Sequence, residues 1–231
     1  MVDKLGTAPT GFCNRRSLIA TIALLPLAAC ATPMGRYTVE EAVRRLLQLS
    51  SQRAFARLTE PGGFYDDQLT RITPPDLGGD RGGAVLSALL RTRAVRDRVG
   101  MALNDVAVDL ADNAAPIVMD AVQRMTLADA VSVLRGGPTA ATDLLAREAR
   151  GSVVEALLPG ASRALRSDMF EMLTAALSAT GGRDYAALAD NVSGQIGDAI
   201  FRAIGREEAE IRRDPGATRD PILMALLRKA P

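Results

Sequence analysis

The densest cluster of ionisable side chains in the sequence spans residues 206–213, where Glu207, Glu208 and Glu210 lie among arginines. One interpretation makes Glu207 or Glu208 a catalytic carboxylate or a cation ligand, since pairs of acids carry out glycoside hydrolysis. The other is structural, because Glu208 and Arg212 stand at i and i+4 with the acid first, the favourable order for an ion pair on a helix. We expect the structural interpretation, a salt-bridged helix face.

A glycine pair followed by threonines forms the second candidate site. Gly136 and Gly137 precede Thr139 and Thr142, at the start of a stretch with helical periodicity. Free backbone N–H groups at the start of a helix bind anions well, so an anion site is one interpretation. A simple corner between two helices is the other, and it is the one we expect.

Composition excludes several catalytic chemistries. The chain has no histidine, its two cysteines are Cys13 and Cys30, and its only lysines are Lys4 and Lys229. Without an imidazole there can be no Ser-His-Asp or Cys-His triad, no HExxH zinc site and no histidine proton shuttle near neutral pH. A carboxylate pair is the catalytic option that remains. We therefore expect a non-enzymatic protein with no catalytic residue, no cofactor and no metal.

Nucleic-acid binding is also disfavoured. The 28 basic and 27 acidic residues leave a formal charge of +1, aromatic residues make up 3% of the chain, and tryptophan is absent. A nucleic-acid surface needs clustered basic residues and often aromatic side chains that stack on bases. We expect no nucleic-acid partner.

Apolar residues recur at helical spacing along most of the chain, and almost nothing alternates with period two. Thr38 and Glu41 form a capping box, which predicts a first helix from 38 to about 58. Prolines and glycines then predict a loop over 64–83, with a short extended piece at 69–72. Further helices are predicted at 84–90, at 95–110 and from Pro116 onward.

The central segment predicts two helices joined by a glycine turn. The stretch from Thr126 to Asp129 caps a short helix that ends near Arg135, and Gly136-Gly137 predicts a left-handed stop. We expect the next helix to cover 139–158, to be interrupted at Pro159, and to resume over 162–179.

Two helices are predicted near the C-terminal end. Asp190 or Asn191 caps the first, which ends at Asp214 because the following proline disfavours helical backbone. Asp220, with a proline after it, opens the last helix, which extends to about Arg228. The predicted fold class is all-α, a single-domain bundle of several helices with short Gly or Pro connections.

The N-terminal segment has the order of an export signal. Arg15 and Arg16 precede an apolar run of about 13 residues that ends at Cys30, and a bilayer core needs about 20. Leu27-Ala28-Ala29-Cys30 resembles the lipobox of bacterial lipoproteins, in which the peptide is cut before a cysteine that carries lipid. Cys30 is therefore the predicted lipidation site. A short buried helix with an unmodified cysteine is the alternative.

The predicted location of the protein is the bacterial cell envelope. Arg15 and Arg16, followed by Leu18, also resemble the twin-arginine export signal, and the general secretory route is the alternative. Ala31 follows the cysteine where an aspartate would favour retention at the inner membrane. We therefore expect a protein anchored by lipid on the periplasmic face of the outer membrane.

Two segments of the chain carry a family resemblance. The first segment comprises 125–130, Leu134, Gly136, Gly137, 140–142 and Arg147. The second comprises 199–201, 207–212 and Pro215. Together they resemble the signatures of an uncharacterised bacterial family, domain-of-unknown-function family four-one-nine-seven. The resemblance covers roughly residues 38–228 and implies an all-α fold and, from exported members with lipoprotein signals, an envelope address. It implies no chemistry.

Three functions follow as hypotheses. The leading one is a lipid-anchored helical interaction or scaffold module, whose partners are the membrane, through lipidated Cys30, and an envelope protein. A carrier of lipid or another apolar ligand would need an apolar cavity of about 300 Å³ or more. A carboxylate-based hydrolase would need two acids about 5–10 Å apart in a cleft. The predicted layout is a signal peptide at 1–29, a linker at 30–37 and an all-helical domain at 38–229.

Overall fold

The first helix, α1 (Val39–Leu58), begins and ends where its sequence predicts. Thr38 is the N-cap, and its hydroxyl accepts a hydrogen bond from the N–H of Glu41 at 3.1 Å. Apolar side chains spaced at three and four residues are buried along one face. The helix is followed by a turn in which Gly62 adopts a φ of +80°, a conformation that favours glycine.

The computed structural model describes residues 38–74, 91–167, 170 and 183–227, without the side chains of 183–185. Within these ranges the chain forms six α-helices and one short 3₁₀ helix and no strand, so the predicted all-α class is confirmed. They belong to one compact unit, Tyr37–Pro231. The helix predicted at 84–90 and most of that predicted at 162–179 lie outside the described residues, as do Arg15, Arg16 and Cys30. None of the described helices combines the length and the apolarity that a membrane span requires.

Helix α2 (Arg93–Arg124) is continuous, and the prediction of a new helix at Pro116 is wrong. A proline removes one backbone hydrogen bond and crowds the preceding turn, which bends a helix more readily than it ends one. The carbonyl that loses its partner belongs to Asp112, four residues earlier, and Asp112 is exposed, so this carbonyl can bond to water. Ala114 and Val118 remain buried, which keeps the helix packed through this point.

The next two helices are α3 (Ala130–Arg135) and α4 (Ala140–Ala164). Gly136 has extended backbone, with φ −70° and ψ −172°, so the predicted left-handed stop is wrong. The glycine is explained by close packing instead, since a Cβ at this position would lie 2.6 Å from the Cβ of Ala140. Pro159 lies inside α4, and the predicted interruption there is wrong for the same reason as at α2.

Helix α5 (Arg183–Arg213) begins before the predicted caps, which lie within it. Asn191 is exposed and its side chain accepts a hydrogen bond from Gln195 at 2.7 Å, so it does not compete with the helical backbone. The predicted end at Asp214 is confirmed, and a 3₁₀ helix (Pro215–Thr218) follows.

The last described helix, α6 (Pro221–Leu227), has the predicted start. Asp220 accepts hydrogen bonds from the N–H groups of Ile222 and Leu223 at 3.0 and 3.2 Å. This is the expected action of an aspartate N-cap followed by a proline.

Helix α5 packs against α1 on one side and α4 on another. It runs antiparallel to α4, since Glu208 contacts Thr142 whereas Asp198, earlier in α5, contacts Arg150, later in α4. Its apolar face is fully buried, and each large side chain so buried contributes roughly 1.5–3 kcal/mol. Within the cluster at 206–213, Glu207 and Glu208 are buried at these contacts, whereas Arg213 is exposed.

Candidate functional site

Glu208 lies on α5 opposite the first turn of α4, and it is fully buried. Its Oε1 accepts hydrogen bonds from the N–H of Ala141 at 3.1 Å and from Nε of Arg212 at 2.7 Å. Its Oε2 accepts from the N–H of Thr142 at 2.7 Å and from the hydroxyl of Thr142 at 2.6 Å. Both oxygens are thus saturated, and the negative charge lies at the positive end of the α4 dipole.

Arg212 extends this network to a third helix. Its Nη2 also lies 2.7 Å from Oε1 of Glu208, so the predicted ion pair is present. Nη1 donates to the carbonyl of Leu134 at 2.7 Å, and Nη2 donates to the carbonyl of Val133 at 3.0 Å. These carbonyls belong to the last turn of α3, where i+4 donors are absent, although the carbonyl of Val133 also accepts from the N–H of Gly136 at 3.3 Å. The pair therefore joins the end of α3 to the start of α4.

The anion at the start of α4 is thus a side chain of the same chain. Of the residues considered for an anion site, Thr142 binds Glu208, whereas Gly136 and Gly137 lie in the exposed corner between α3 and α4. The corner interpretation describes both glycines. The N–H groups of Ala141 and Thr142 are occupied and so are not free for an external anion.

Thr126 and Asp129 lie apart from this network. Asp129 caps α3 and accepts a hydrogen bond from the N–H of Ser132 at 3.1 Å. It is at the opposite end of α3 from the carbonyls that Arg212 binds, four and five residues away, or about 6–8 Å along the helix axis. Thr126 is exposed in the connection between α2 and α3. Asp129 thus sets the start of α3, and neither residue joins the carboxylate cluster.

Glu207 is also fully buried but contacts α1 instead of α4. Nη1 of Arg57 lies 2.9 Å from its Oε1, yet neither carboxylate oxygen accepts a well-aligned hydrogen bond from any described residue. The contact is therefore an ion pair without the geometry of a hydrogen bond. Burial raises the pKa of Glu207, the charge of Arg57 lowers it, and Glu210 raises it again, so the pKa lies above its usual value. Arg57 itself remains 53% exposed.

Glu207 and Glu208 therefore have different partners and face different helices. Both have 0% exposure, so a substrate outside the protein cannot touch either one. No group of three or more His, Cys, Asp or Glu side chains within the described ranges is arranged to hold a metal ion. What the Glu208–Arg212 pair can do chemically is hold α3 and α4 to α5, whereas Glu207 contacts α1 without a well-aligned hydrogen bond.

Two amide side chains that the sequence did not single out hold the segment after α1. Asn104, buried on α2, accepts a hydrogen bond from the N–H of Ile72 and donates to the carbonyl of Ile72, both at 2.9 Å. It also donates to the carbonyl of Gly100 at 2.6 Å. Gln195 on α5 binds the N–H and the carbonyl of Thr73 in the same way, both at 3.0 Å. Each amide supplies the pairing that a neighbouring strand would give to extended backbone.

Arginines of α5 attach the same segment, residues 67–73, which we name the strap. Arg206 forms an ion pair with Asp67, and Arg202 donates to the carbonyl of Leu69 at 2.8 Å. Burial alone would raise the pKa of Asp67, but the hydrogen bonds from Arg206 and from the N–H of Leu69, together with the charges of Arg206 and Arg57, outweigh it, and the pKa lies below its usual value. The described part of the predicted loop, 64–74, contains neither helix nor strand.

The family model for "Protein of unknown function (DUF4197)" matches residues 34–227. The match extends from before the Thr38 cap to the end of α6, and it confirms the resemblance that the two sequence segments carry. Neither a search of curated proteins nor a search of solved structures found a match.

Proposed function

The chain belongs to the DUF4197 family, and we propose that it is a lipid-anchored, non-enzymatic interaction or scaffold module of the bacterial cell envelope. The observation that carries the non-enzymatic part is the complete burial of Glu207 and Glu208. A glycosidase acid must contact the scissile bond, and its partner must contact the sugar or a water beside it. Carboxylates enclosed between helices meet neither requirement, and their partners are structural.

The shape of the domain supports the alternative function, a carrier of apolar ligands, less well than it supports an interaction module. A concavity of about 630 Å³ lies between α2 and α4, which is within the usual range for ligand sites. However, Asp109, Asn113 and Arg163 line it together with Val106 and Leu110. An apolar ligand there would cover polar groups without pairing them, which costs free energy. Recognition of a partner at the surface suits this lining better.

The anchor rests on the lipobox-like sequence that ends at Cys30. The linker at 30–37 has about eight residues, and a fully extended chain reaches about 3.4 Å per residue. An anchored Cys30 would thus keep Thr38 within roughly 25–30 Å of the membrane surface. Each buried methylene of an acyl chain contributes about 0.8 kcal/mol, so two or more chains hold the protein firmly. Such a tether raises the effective concentration of the domain toward partners on the same membrane.

Replacement of the cysteines tests the anchor. We expect wild-type protein to incorporate a labelled fatty acid and to partition into detergent, because the acyl chains dominate its membrane affinity. Cys30→Ser should leave an unlabelled, unprocessed precursor. Cys13→Ser is the matched control, since Cys13 lies within the predicted signal peptide and its loss should not affect labelling. Label on the Cys30→Ser protein would show that the proposed anchor is wrong.

A further inference from the structure

A pocket of about 360 Å³ lies where the end of α3 meets the ends of α5 and α6. Its lining combines apolar and basic side chains, and none of its described lining residues is acidic. The residues that matter for recognition are Leu134, Pro138, Leu227, Arg135, Arg212 and Arg213.

Two of the three arginines are available to a ligand. Arg135 and Arg213 are exposed, and neither has an ion-pair partner in the part of the chain that the structure describes. Arg212 is only 11% exposed, and its charge is balanced by Glu208. The positive charge that the pocket presents therefore comes from Arg135 and Arg213, on two different helices.

We propose that this pocket binds a carboxylate group carried on a short apolar stem. Guanidinium groups pair with carboxylates through charge-assisted hydrogen bonds, and Arg135 and Arg213 could share the two oxygens of one carboxylate. Leu134, Pro138 and Leu227 offer apolar surface beside them. The volume is at the lower end of the range for ligand sites, which suits a small group and not a long acyl chain.

Two natural sources carry this chemistry, the C-terminal residue of a polypeptide and a short free fatty acid. The inference deepens the proposed function and rests on it for the kind of partner, since it names the group that the interaction module recognises. The pocket itself belongs to the folded domain and does not depend on the anchor at Cys30.

Arg135 and Arg213 also affect the stability of the fold, and the test must separate this effect from ligand binding. Arg135 and Arg213 lie in the last turns of α3 and α5, where a positive charge offsets the helix dipole. That effect changes stability whether or not a ligand is present. Melting temperatures of all variants are therefore measured without ligand, and binding is measured separately.

The experiment titrates the full-length protein, in a nonionic detergent, by isothermal calorimetry. The probes are an acetylated tripeptide that ends in leucine, the same peptide with an amidated C-terminus, and hexanoate. We expect saturable binding of an acid and at least tenfold weaker binding of the amide. Arg135→Gln and Arg213→Gln should each weaken binding about three- to tenfold, the loss expected for one charge-assisted contact. Arg147→Gln removes an exposed arginine of α4 outside the pocket and should leave binding unchanged.

Each outcome of the titrations either supports or overturns the proposed carboxylate site. Tighter binding of the peptide assigns the pocket to chain termini, tighter binding of hexanoate assigns it to fatty acids, and either supports a carboxylate site. Absence of saturable binding by both acids overturns the proposal, as does equal binding of the amide or equal weakening by Arg147→Gln. Fatty-acid labelling of Cys30 is a separate readout, so failure of the pocket and failure of the anchor are distinguishable.

Discussion

At the scale of single residues, removal of either Glu208 or Arg212 leaves buried groups without partners. Arg212→Met would remove the countercharge of Glu208 and the side-chain donor to the carbonyls of Val133 and Leu134, and Glu208→Gln would place an amide donor against the N–H groups of α4. We expect each substitution to lower the free energy of unfolding by about 3–5 kcal/mol, because breaking a buried pair leaves an uncompensated charge. The double variant should lose less than the sum, since the stranded charge is then absent. Denaturant midpoints measure this, and midpoints that neither substitution alters would exclude a structural role for the Glu208–Arg212 pair.

The same substitution at Glu207 should have the opposite sign. Glu207 lacks well-aligned donors among the described residues and its partner Arg57 is half exposed, so Arg57 can return to water when the charge is removed. We expect Glu207→Gln to raise the free energy of unfolding by about 1–2 kcal/mol at pH 8, because a neutral amide costs less to bury than a poorly paired carboxylate. Glu208→Gln is the matched control.

The pH dependence of this gain follows from linkage. Burial raises the pKa of Glu207 in the folded state, so the folded state holds the proton more strongly than the unfolded state does. Ionisation of Glu207 therefore lowers the free energy of unfolding as the pH rises from the unfolded pKa, about 4.3, through the higher folded pKa. Below about pH 4.3 this loss disappears. Urea unfolding at pH 8 and pH 4 should show a gain only at the higher pH. A gain that does not change with pH would argue against an ionised, poorly paired Glu207.

Sequence reasoning identified part of this residue network. The Glu208–Arg212 pair was predictable because i and i+4 positions are neighbours on any helix. The partner Thr142 was not, since it depends on the antiparallel packing of α4 on α5. The different roles of Glu207 and Glu208 were also hidden, because consecutive residues are about 100° apart around a helix and so meet different neighbours.

At the scale of elements, helix ends were predictable where a local side chain sets them. Thr38, Asp129 and Asp220 cap the helices that their positions predict. Pro116 and Pro159 misled the prediction because the cost of a proline depends on whether the freed carbonyl reaches water, a property of the tertiary fold. The sequence does show Asn104 as a polar residue on the buried face of α2, but nothing in the sequence indicates that its partner is Ile72 of the strap.

The strap gives a test at this scale. Asn104→Leu keeps the size of the side chain but leaves the N–H and the carbonyl of Ile72 buried without partners. We expect a loss of about 2–6 kcal/mol in the free energy of unfolding, because each of the two groups costs about 1–3 kcal/mol. Gln195→Leu is the matched comparison, and it should cost less than about 1 kcal/mol because Thr73 is exposed and water can replace the amide.

Amide hydrogen exchange separates the two effects. The N–H of Ile72 should lose protection in the Asn104→Leu protein, while helix amides of α1 keep theirs in mild conditions. Equal costs for the two substitutions would contradict the assignment of Asn104 as the main attachment of the strap.

At the scale of the whole molecule, the response to acid depends on aspartates that join distant segments. Asp220 accepts a hydrogen bond from Nε of Arg45 at 2.7 Å, which ties α6 to α1, and Asp67 ties the strap to α5 through Arg206. Burial alone would raise the pKa of Asp220, but the hydrogen bonds from Arg45 and from two backbone N–H groups outweigh it, so the pKa lies below its usual value. The pKa of Asp67 is lowered in the same way.

A group with a lowered folded pKa stabilises the protein above its unfolded value, about 3.9 for aspartate, and loses that contribution as the pH falls through the folded value. Asp220→Asn isolates this term, because asparagine caps a helix as well as aspartate does while its side chain carries no charge for Arg45. We expect the variant to be less stable than wild type by about 0.5–1 kcal/mol at pH 7, the contribution of an ion pair whose arginine is half exposed. The difference should shrink as the pH falls through the folded pKa of Asp220, because the aspartate is then protonated in both states. Guanidinium unfolding from pH 7 into the acid range measures the difference, and one that stays constant throughout would mean that the cap, and not the charge, is what Asp220 contributes.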